Sequence, residues 1–184
     1  MICFKIDFIG KKMQMTANVW GTVYWITGLS GAGKTTVGRL LYERLKANKE
    51  KVIFLDGDIL REVFGDDLGY TIDDRHRCAM RYSRICRMLS LQGMDVVCCT
   101  ISMFDDVRAW NRENIAKYKE IYLKVDKDTL YQRNQKGLYE SSADALVGFG
   151  VAMEEPKQPD LVIDNNGEMT PEEIVQKIWE GLVK

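Results

Sequence analysis

Eight consecutive residues, Gly28-Leu29-Ser30-Gly31-Ala32-Gly33-Lys34-Thr35, restrict this chain more than any other stretch. They satisfy G-x-x-x-x-G-K-[ST] at every specified position, between a strand-like segment and a helix-like one. The glycines let the backbone curl so that successive N–H groups face inward. A helix starting near Lys34 aims the positive end of its dipole at the same point. Lys34 can then reach β- and γ-phosphates, and the Thr35 hydroxyl is placed to ligate Mg²⁺. Composition alone would give such a string in roughly one chain of this length in a few hundred. A glycine turn that merely caps a helix is the plain alternative. The flanking elements favour a nucleoside triphosphate site held by Gly28, Ser30, Gly31, Ala32, Gly33, Lys34, Thr35 and Thr36.

From Thr22 onward, short apolar runs alternate with helical patterns. Strands are expected at Thr22–Thr27, Lys51–Leu55, Asp95–Thr100, Glu120–Val125 and Asp160–Ile163. They are rich in Val, Ile, Leu and aromatics without strict alternation, as strands covered on both faces are. Val37, Leu40, Leu41 and Leu45 recur at helical spacing. A longer helix is expected over Arg75–Leu91 with Ile85, Met88 and Leu89 toward the core. Thr170-Pro171-Glu172-Glu173 reads as a capping box opening a last helix striped by Ile174, Ile178 and Leu182. The pattern predicts an α/β fold: a P-loop NTPase-type parallel sheet of about five strands, helices on both faces, in a single domain. That domain would span residues 22–184. Residues 1–21 read as an N-terminal extension, in which Ile2, Phe4, Ile6 and Phe8 alternate as in a short strand and no signal-peptide order is seen. Residues 137–159 lack a period and read as a candidate lid.

Charge excludes some partners. With 26 basic and 27 acidic residues, nothing draws the chain strongly to nucleic acid or to a membrane surface. No apolar run approaches the roughly 20 residues a spanning helix needs. The five cysteines are odd in number and form no C-x-x-C pair; Cys98 and Cys99 lie in an apolar run that suits buried thiols. With a nucleotide site, this points to a reducing cytoplasm. The lone His76, between Arg75 and Arg77, reads as a solvated helix residue.

The second expected strand ends in Asp56-Gly57-Asp58, with Arg61 three residues on. In an open parallel sheet, ligands gather beyond the carboxyl ends of strands, where this acidic pair and the glycine loop converge. Asp56 is the candidate for base or metal contact and Asp58 for positioning the acceptor; the same tripeptide also suits a turn and helix cap. Arg61, Arg75, Arg81, Arg108, Arg133 and Lys136 fall around the same edge. Arg75 and Arg81, six apart, lie on different helix faces, so at most one points straight into a cleft. Each basic residue singly reads as well as a solvated charge. Together they suit closure over a triphosphate. No Asn-Lys-x-Asp guanine signature occurs, and Lys34 is not in a protein-kinase context, which leaves a small-molecule or nucleotide kinase.

At this point the chain resembles the adenylylsulfate kinases from about Val23 onward. The resemblance rests on the glycine loop through Thr36, Leu55-Asp56-Gly57-Asp58 with Arg61, Asp67-Leu68-Gly69-Tyr70 with Asp74-Arg75, Ile101-Ser102, Lys136-Gly137-Leu138-Tyr139 and Pro159-Asp160-Leu161-Val162-Ile163-Asp164. It implies transfer of the ATP γ-phosphate to the 3′-hydroxyl of a nucleotide, Mg²⁺ at Thr35 and Asp56, and, in many members, a homodimer. It further implies Lys34, Asp56 and Asp58 in catalysis, Arg133 and Lys136 on the ATP side, and Asp58, Arg61, Arg75, Arg81, Ile101 and Ser102 around the acceptor.

Three departures fall on the acceptor side. The family's asparagine after the Arg75 position is Cys78. Its Ile-Ser-Pro-Tyr-Arg reads Ile101-Ser102-Met103-Phe104-Asp105. Its acceptor-stacking aromatic falls near Leu146, with Phe149 as a substitute. Such losses of polar partners should alter substrate choice. Adenylylsulfate is the default acceptor, and a cytidine diphosphate derivative of surface-polysaccharide synthesis is the alternative. A non-catalytic nucleotide-binding regulator and a kinase for a sugar or carboxylic acid are the remaining readings.

Overall fold

The computed structural model describes residues 3–8, 11–16, 20–65, 67–133 and 154–183, the first two segments by their backbone. Five parallel strands carry the molecule: β3 (Val23–Thr27), β4 (Val52–Asp56), β5 (Asp95–Thr100), β6 (Tyr118–Lys124) and β7 (Leu161–Asp164), in the order β4-β5-β3-β6-β7. The expected strands stand within two residues of their expected bounds. The chain leaves β3 for the β4 side and later crosses to β6 on the other. The crevice at the carboxyl end of β3 is therefore the switch point where α/β sheets bind ligands.

Strand residues alternate between two cores. Tyr24, Ile26, Val97, Cys99, Ile121 and Leu123 face one side, packed under α1 (Lys34–Lys46) and α6 (Pro171–Ile178). Val23, Trp25, Val96 and Cys98 face the other, under α2 (Gly57–Phe64), α3 (Ile72–Leu91) and α4 (Asp105–Asn114). A short α5 (Lys127–Arg133) follows β6. The expected capping box forms: Glu173 N–H donates to Thr170 Oγ1 (3.2 Å) and Thr170 N–H to Glu173 Oε2 (2.8 Å). Beyond Ile178 the chain turns into a π-helical turn, Trp179–Val183, with Leu182 still against the core.

α3 corrects two expectations. It starts at Ile72, because the Thr71 hydroxyl accepts the Asp74 N–H (3.1 Å) and caps it there. Its inner seam is Cys78, Ala79, Tyr82, Ser83, Cys86 and Ser90, while Met88 is 53% exposed and Ile85 and Leu89 only flank the core. Small thiol, hydroxyl and methyl side chains let this helix lie close on the sheet, and a search for large apolar residues passes over them. His76 is not simply solvated: its Nε2 lies 2.6 Å from Asp106 Oδ2 and its ring meets Phe104 edge-on.

The N-terminal stretch forms a two-stranded antiparallel hairpin, β1 (Cys3–Phe8) with β2 (Lys11–Thr16), separate from the main sheet. The alternation in β1 was legible; β2, opening on Lys11-Lys12, was not expected. No helix among the described residues is long and apolar enough to cross a membrane.

α1 approaches β5 so closely that a Cβ added at Gly38 would lie 2.2 Å from Cys99 Sγ. Gly38→Ala should therefore overpack this seam and cost about 1–3 kcal/mol in denaturant unfolding. Combining it with Cys99→Ala should recover stability relative to the sum of the two single changes, the signature of a shared contact.

Candidate active site

Three glycines shape the loop between β3 and α1. Gly28, Gly31 and Gly33 have φ of 154°, 78° and 84°, and a Cβ at Gly28 would sit 2.5 Å from the Leu123 carbonyl oxygen. No other residue type adopts this path without strain. Ala32 N–H donates to the Leu29 carbonyl (3.2 Å), which also accepts the Lys34 ammonium (2.7 Å). Burial pushes the Lys34 ammonium from 10.5 down to about 8, and the nearby negative groups, Asp58 and Asp56 among them, offset this only in part. The first turn of α1, opening at Lys34, leaves Thr35 and Thr36 exposed at the mouth.

Asp56, the last residue of β4, does two things at once. Its Oδ1 accepts the Asp58 N–H (3.0 Å) and caps α2, so the turn-and-cap reading holds. Its Oδ2 accepts the Thr35 hydroxyl (2.7 Å), so the loop and the acidic turn share one site. Gly57 allows the turn to lie against β5, since a Cβ there would meet the Cys99 carbonyl at 3.2 Å. Asp58 is exposed in the first turn of α2.

Beyond α2, Arg61 donates to the carbonyls of Leu68 (3.2 Å) and Gly69 (2.7 Å) and lies over the Tyr70 ring at 4.6 Å. Arg75 donates from Nε to the Tyr70 carbonyl (2.9 Å), with its guanidinium 5.4 Å from the same ring. Burial, then the neighbouring Arg61 charge, lower the Arg75 pKa. Arg81 stands apart, bidentate on Asp67 (3.0 and 2.7 Å) and over Phe64. Ile101 and Ser102 close the carboxyl edge: Thr27 Oγ1 donates to the Ile101 carbonyl (2.7 Å), and the buried Ser102 hydroxyl bonds Thr100 Oγ1 (2.8 Å). Arg133 ends α5 beside the turn at Gly167, where an added Cβ would lie 3.7 Å from its Nη2. Lys136, Leu146 and Phe149 lie outside the described residues, as does the candidate lid apart from 154–159.

Two of the departures take on a different meaning here. Cys78 is 1% exposed; its thiol donates to Tyr82 Oη (2.9 Å), and the phenol donates to the Gly57 carbonyl (2.9 Å). It backs the acidic turn from within the core. Asp105 holds Arg108 and Lys157 (2.5 Å), and the Lys157 and Arg108 hydrogen bonds keep its carboxyl below the usual range. Arg108 is itself buried, donates to the Glu154 carbonyl (2.7 Å) and faces buried Glu120 (3.4 Å). Arg112 joins Glu120 (2.8 Å), the Gln158 carbonyl (2.6 Å) and Asp160 (3.1 Å). Asp105, Arg108 and Arg112 thus fasten residues 154–158 to α4.

Sequence reasoning passed over two contributors. Tyr70 was quoted in a motif, yet nothing showed that its ring would lie near two guanidiniums. Asn165 follows β7; its amide donates to the Ala32 carbonyl (3.0 Å), a contact across 133 residues that no local pattern encodes.

Among known families, residues 20–164 match the one described as adenylylsulphate kinase. A cytidine diphosphoramidate kinase of Campylobacter jejuni is 41% identical over 164 residues, covering 87% of this chain and 95% of that protein. An adenylyl-sulfate kinase of Bacillus velezensis is 36% identical over 150 residues, covering 78% and 76%. Among solved structures, the Mycobacterium tuberculosis APS kinase in complex with AMPPNP and APS superposes with a TM-score of 0.80 at 29% identity, over 90% of this chain and 99% of that one.

The lowered Lys34 pKa has a measurable consequence. Above pH 8 the unliganded ammonium has largely lost its proton, and a polyphosphate in the loop would restore it. ATP binding at pH 8.5 should take up a fraction of a proton, seen in calorimetry as a heat that depends on the buffer's ionisation enthalpy. The uptake should fade toward pH 7, where Lys34 is already charged, and should vanish in Lys34→Arg.

Proposed function

This chain belongs to the adenylylsulphate kinase family, and from that premise we propose that it moves the γ-phosphate of ATP to a hydroxyl, the 3′-hydroxyl, of an acceptor nucleotide. The observation that carries the reading is the Thr35–Asp56 hydrogen bond, which joins the phosphate loop to the acidic turn of α2 in one site. Arg61, Tyr70 and Arg75 extend that site away from the loop.

In this reading the glycine loop and Lys34 hold the β- and γ-phosphates, with Arg133 and Lys136 on the same nucleotide. A hydroxyl and a carboxylate 2.7 Å apart are hard oxygen donors of the kind Mg²⁺ takes, so Thr35 and Asp56 would hold it. When bound, the ion would neutralise charge on the phosphate oxygens. Each Asp56 oxygen keeps a second lone pair beside its hydrogen bond, so Asp56 can meet the ion or take the acceptor's proton, while the exposed Asp58 positions the acceptor hydroxyl. The acceptor oxygen bonds to the γ-phosphorus, the bond to the β–γ bridging oxygen breaks, and ADP leaves. Phosphoryl transfer asks mainly for such positioning and charge stabilisation. Tyr70 offers an exposed ring to the acceptor, with Arg61 and Arg75 beside it for its anionic groups; Arg81, Ile101 and Ser102 border this region, and Leu146 and Phe149 would complete it.

Two acceptors divide the reading. Adenylylsulfate is the one the family's description names. A cytidine diphosphate derivative is favoured by the 41% identity to the Campylobacter enzyme. In either case we place the enzyme in the cytoplasm, where its buried thiols stay reduced, and as a homodimer.

ATP consumption measured against adenosine- and cytidine-based acceptors decides between them. We expect turnover with one class at ordinary efficiency, and a fall in kcat of about a hundredfold or more in Asp56→Ala. Arg61→Ala should raise the acceptor KM with little change in the ATP KM. Tight ATP binding without turnover on any acceptor would overturn the kinase reading in favour of a regulator.

A further inference from the structure

The loop after β7 reaches the phosphate loop from behind. Asn165 N–H donates to the Lys124 carbonyl (2.8 Å), extending the β6–β7 pairing by one residue and fixing the Asn165 backbone. Its side chain is buried, 8% exposed, and its Nδ2 donates to the Ala32 carbonyl (3.0 Å). The next residue is locked as well: Asn166 exchanges two hydrogen bonds with Asp126, from Asp126 N–H to Oδ1 (2.9 Å) and from Nδ2 to Asp126 Oδ2 (2.8 Å). Gly167 then turns at φ 108° beside Arg133.

In a trans peptide the carbonyl and the following N–H point in opposite directions. The Ala32–Gly33 peptide has its carbonyl drawn toward Asn165, so the Gly33 N–H points away from Asn165. Gly33, at φ 84°, gives its carbonyl to the Val37 N–H (3.0 Å) at the start of α1, and a Cβ on it would lie only 3.1 Å from Asn165 Nδ2. We propose that Asn165 is a positioning residue of the phosphate loop, which by binding the outer face of the Ala32–Gly33 peptide turns the Gly33 N–H toward a bound polyphosphate. Space-filling alone does not account for an amide here, because a buried amide is costly unless bonded. Since Asn166 and Gly167 follow directly, the same loop sets the spacing between the phosphate cradle and Arg133. The inference rests on the phosphate-loop part of the proposed function and not on the acceptor.

The test compares Asn165→Leu, similar in volume but without a donor, with the wild type. We expect the KM for ATP and the Kd for ADP to rise about tenfold, the worth of one buried hydrogen bond, with the acceptor KM nearly unchanged; the ligand-free thermal midpoint should fall by a few degrees, since the Ala32 carbonyl loses its partner. An unchanged ADP affinity with a lowered midpoint would overturn the proposal, leaving Asn165 merely structural. So would an equal rise in both substrates' KM. ADP binding by calorimetry needs no acceptor, so failure of every acceptor in turnover would count against the kinase reading while this comparison still decides the role of Asn165. Should Asn165→Leu not fold, Asn165→His restores an N–H the same number of bonds from the backbone. Retained ADP affinity in it supports the proposal, and a tenfold loss overturns it.

Discussion

The Asp56 carboxylate is the point on which the rest of the site depends. One oxygen ends β4 and starts α2 by taking the Asp58 N–H, and the other takes the hydroxyl of Thr35 at the opening of α1. Two helices, one leaving β3 and one leaving β4, are thereby tied at their first turns. The tie is possible because β5 lies between these strands and because Gly38 and Gly57 let α1 and α2 come down onto Cys99 and its neighbour Thr100. A larger residue at either glycine would push one helix away and separate the two halves of the chemistry.

The sheet and the loop were legible in the sequence because their signals are local. Five apolar runs, a glycine string and a capping box each lie within a dozen residues, and each appears where expected. The α3 seam was misjudged because Cys78, Ser83, Cys86 and Ser90 do not advertise burial, whereas Met88 does and is exposed. Asn165 could not be read at all: its partner lies on the far side of the sequence and the contact exists only once β7 is paired. Arg75 and Arg81 were expected on different helix faces, and they part accordingly: Arg75 lies by Tyr70 and Arg81 on Asp67.

The departures from the family pattern teach something similar. A charge reversal at Asp105 looks, in sequence, like a statement about the substrate. In the fold it is a member of an ion-pair network that runs from Lys157 through Asp105, Arg108 and Glu120 to Arg112 and Asp160. Its buried member, Arg108 with Glu120, adds little net stability yet is costly to break singly, and the outer pairs are partly exposed. Their evident effect is to fix residues 154–160 on α4 beside Met103, where Glu154 N–H also bonds the Met103 carbonyl (3.1 Å).

The phosphate loop carries one more internal contact. The Lys34 ammonium gives one of its three N–H donors to the Leu29 carbonyl, which holds the side chain against the loop. An amine tethered in this way keeps few of its rotamers, so less ordering is left to be done when an anion reaches the loop.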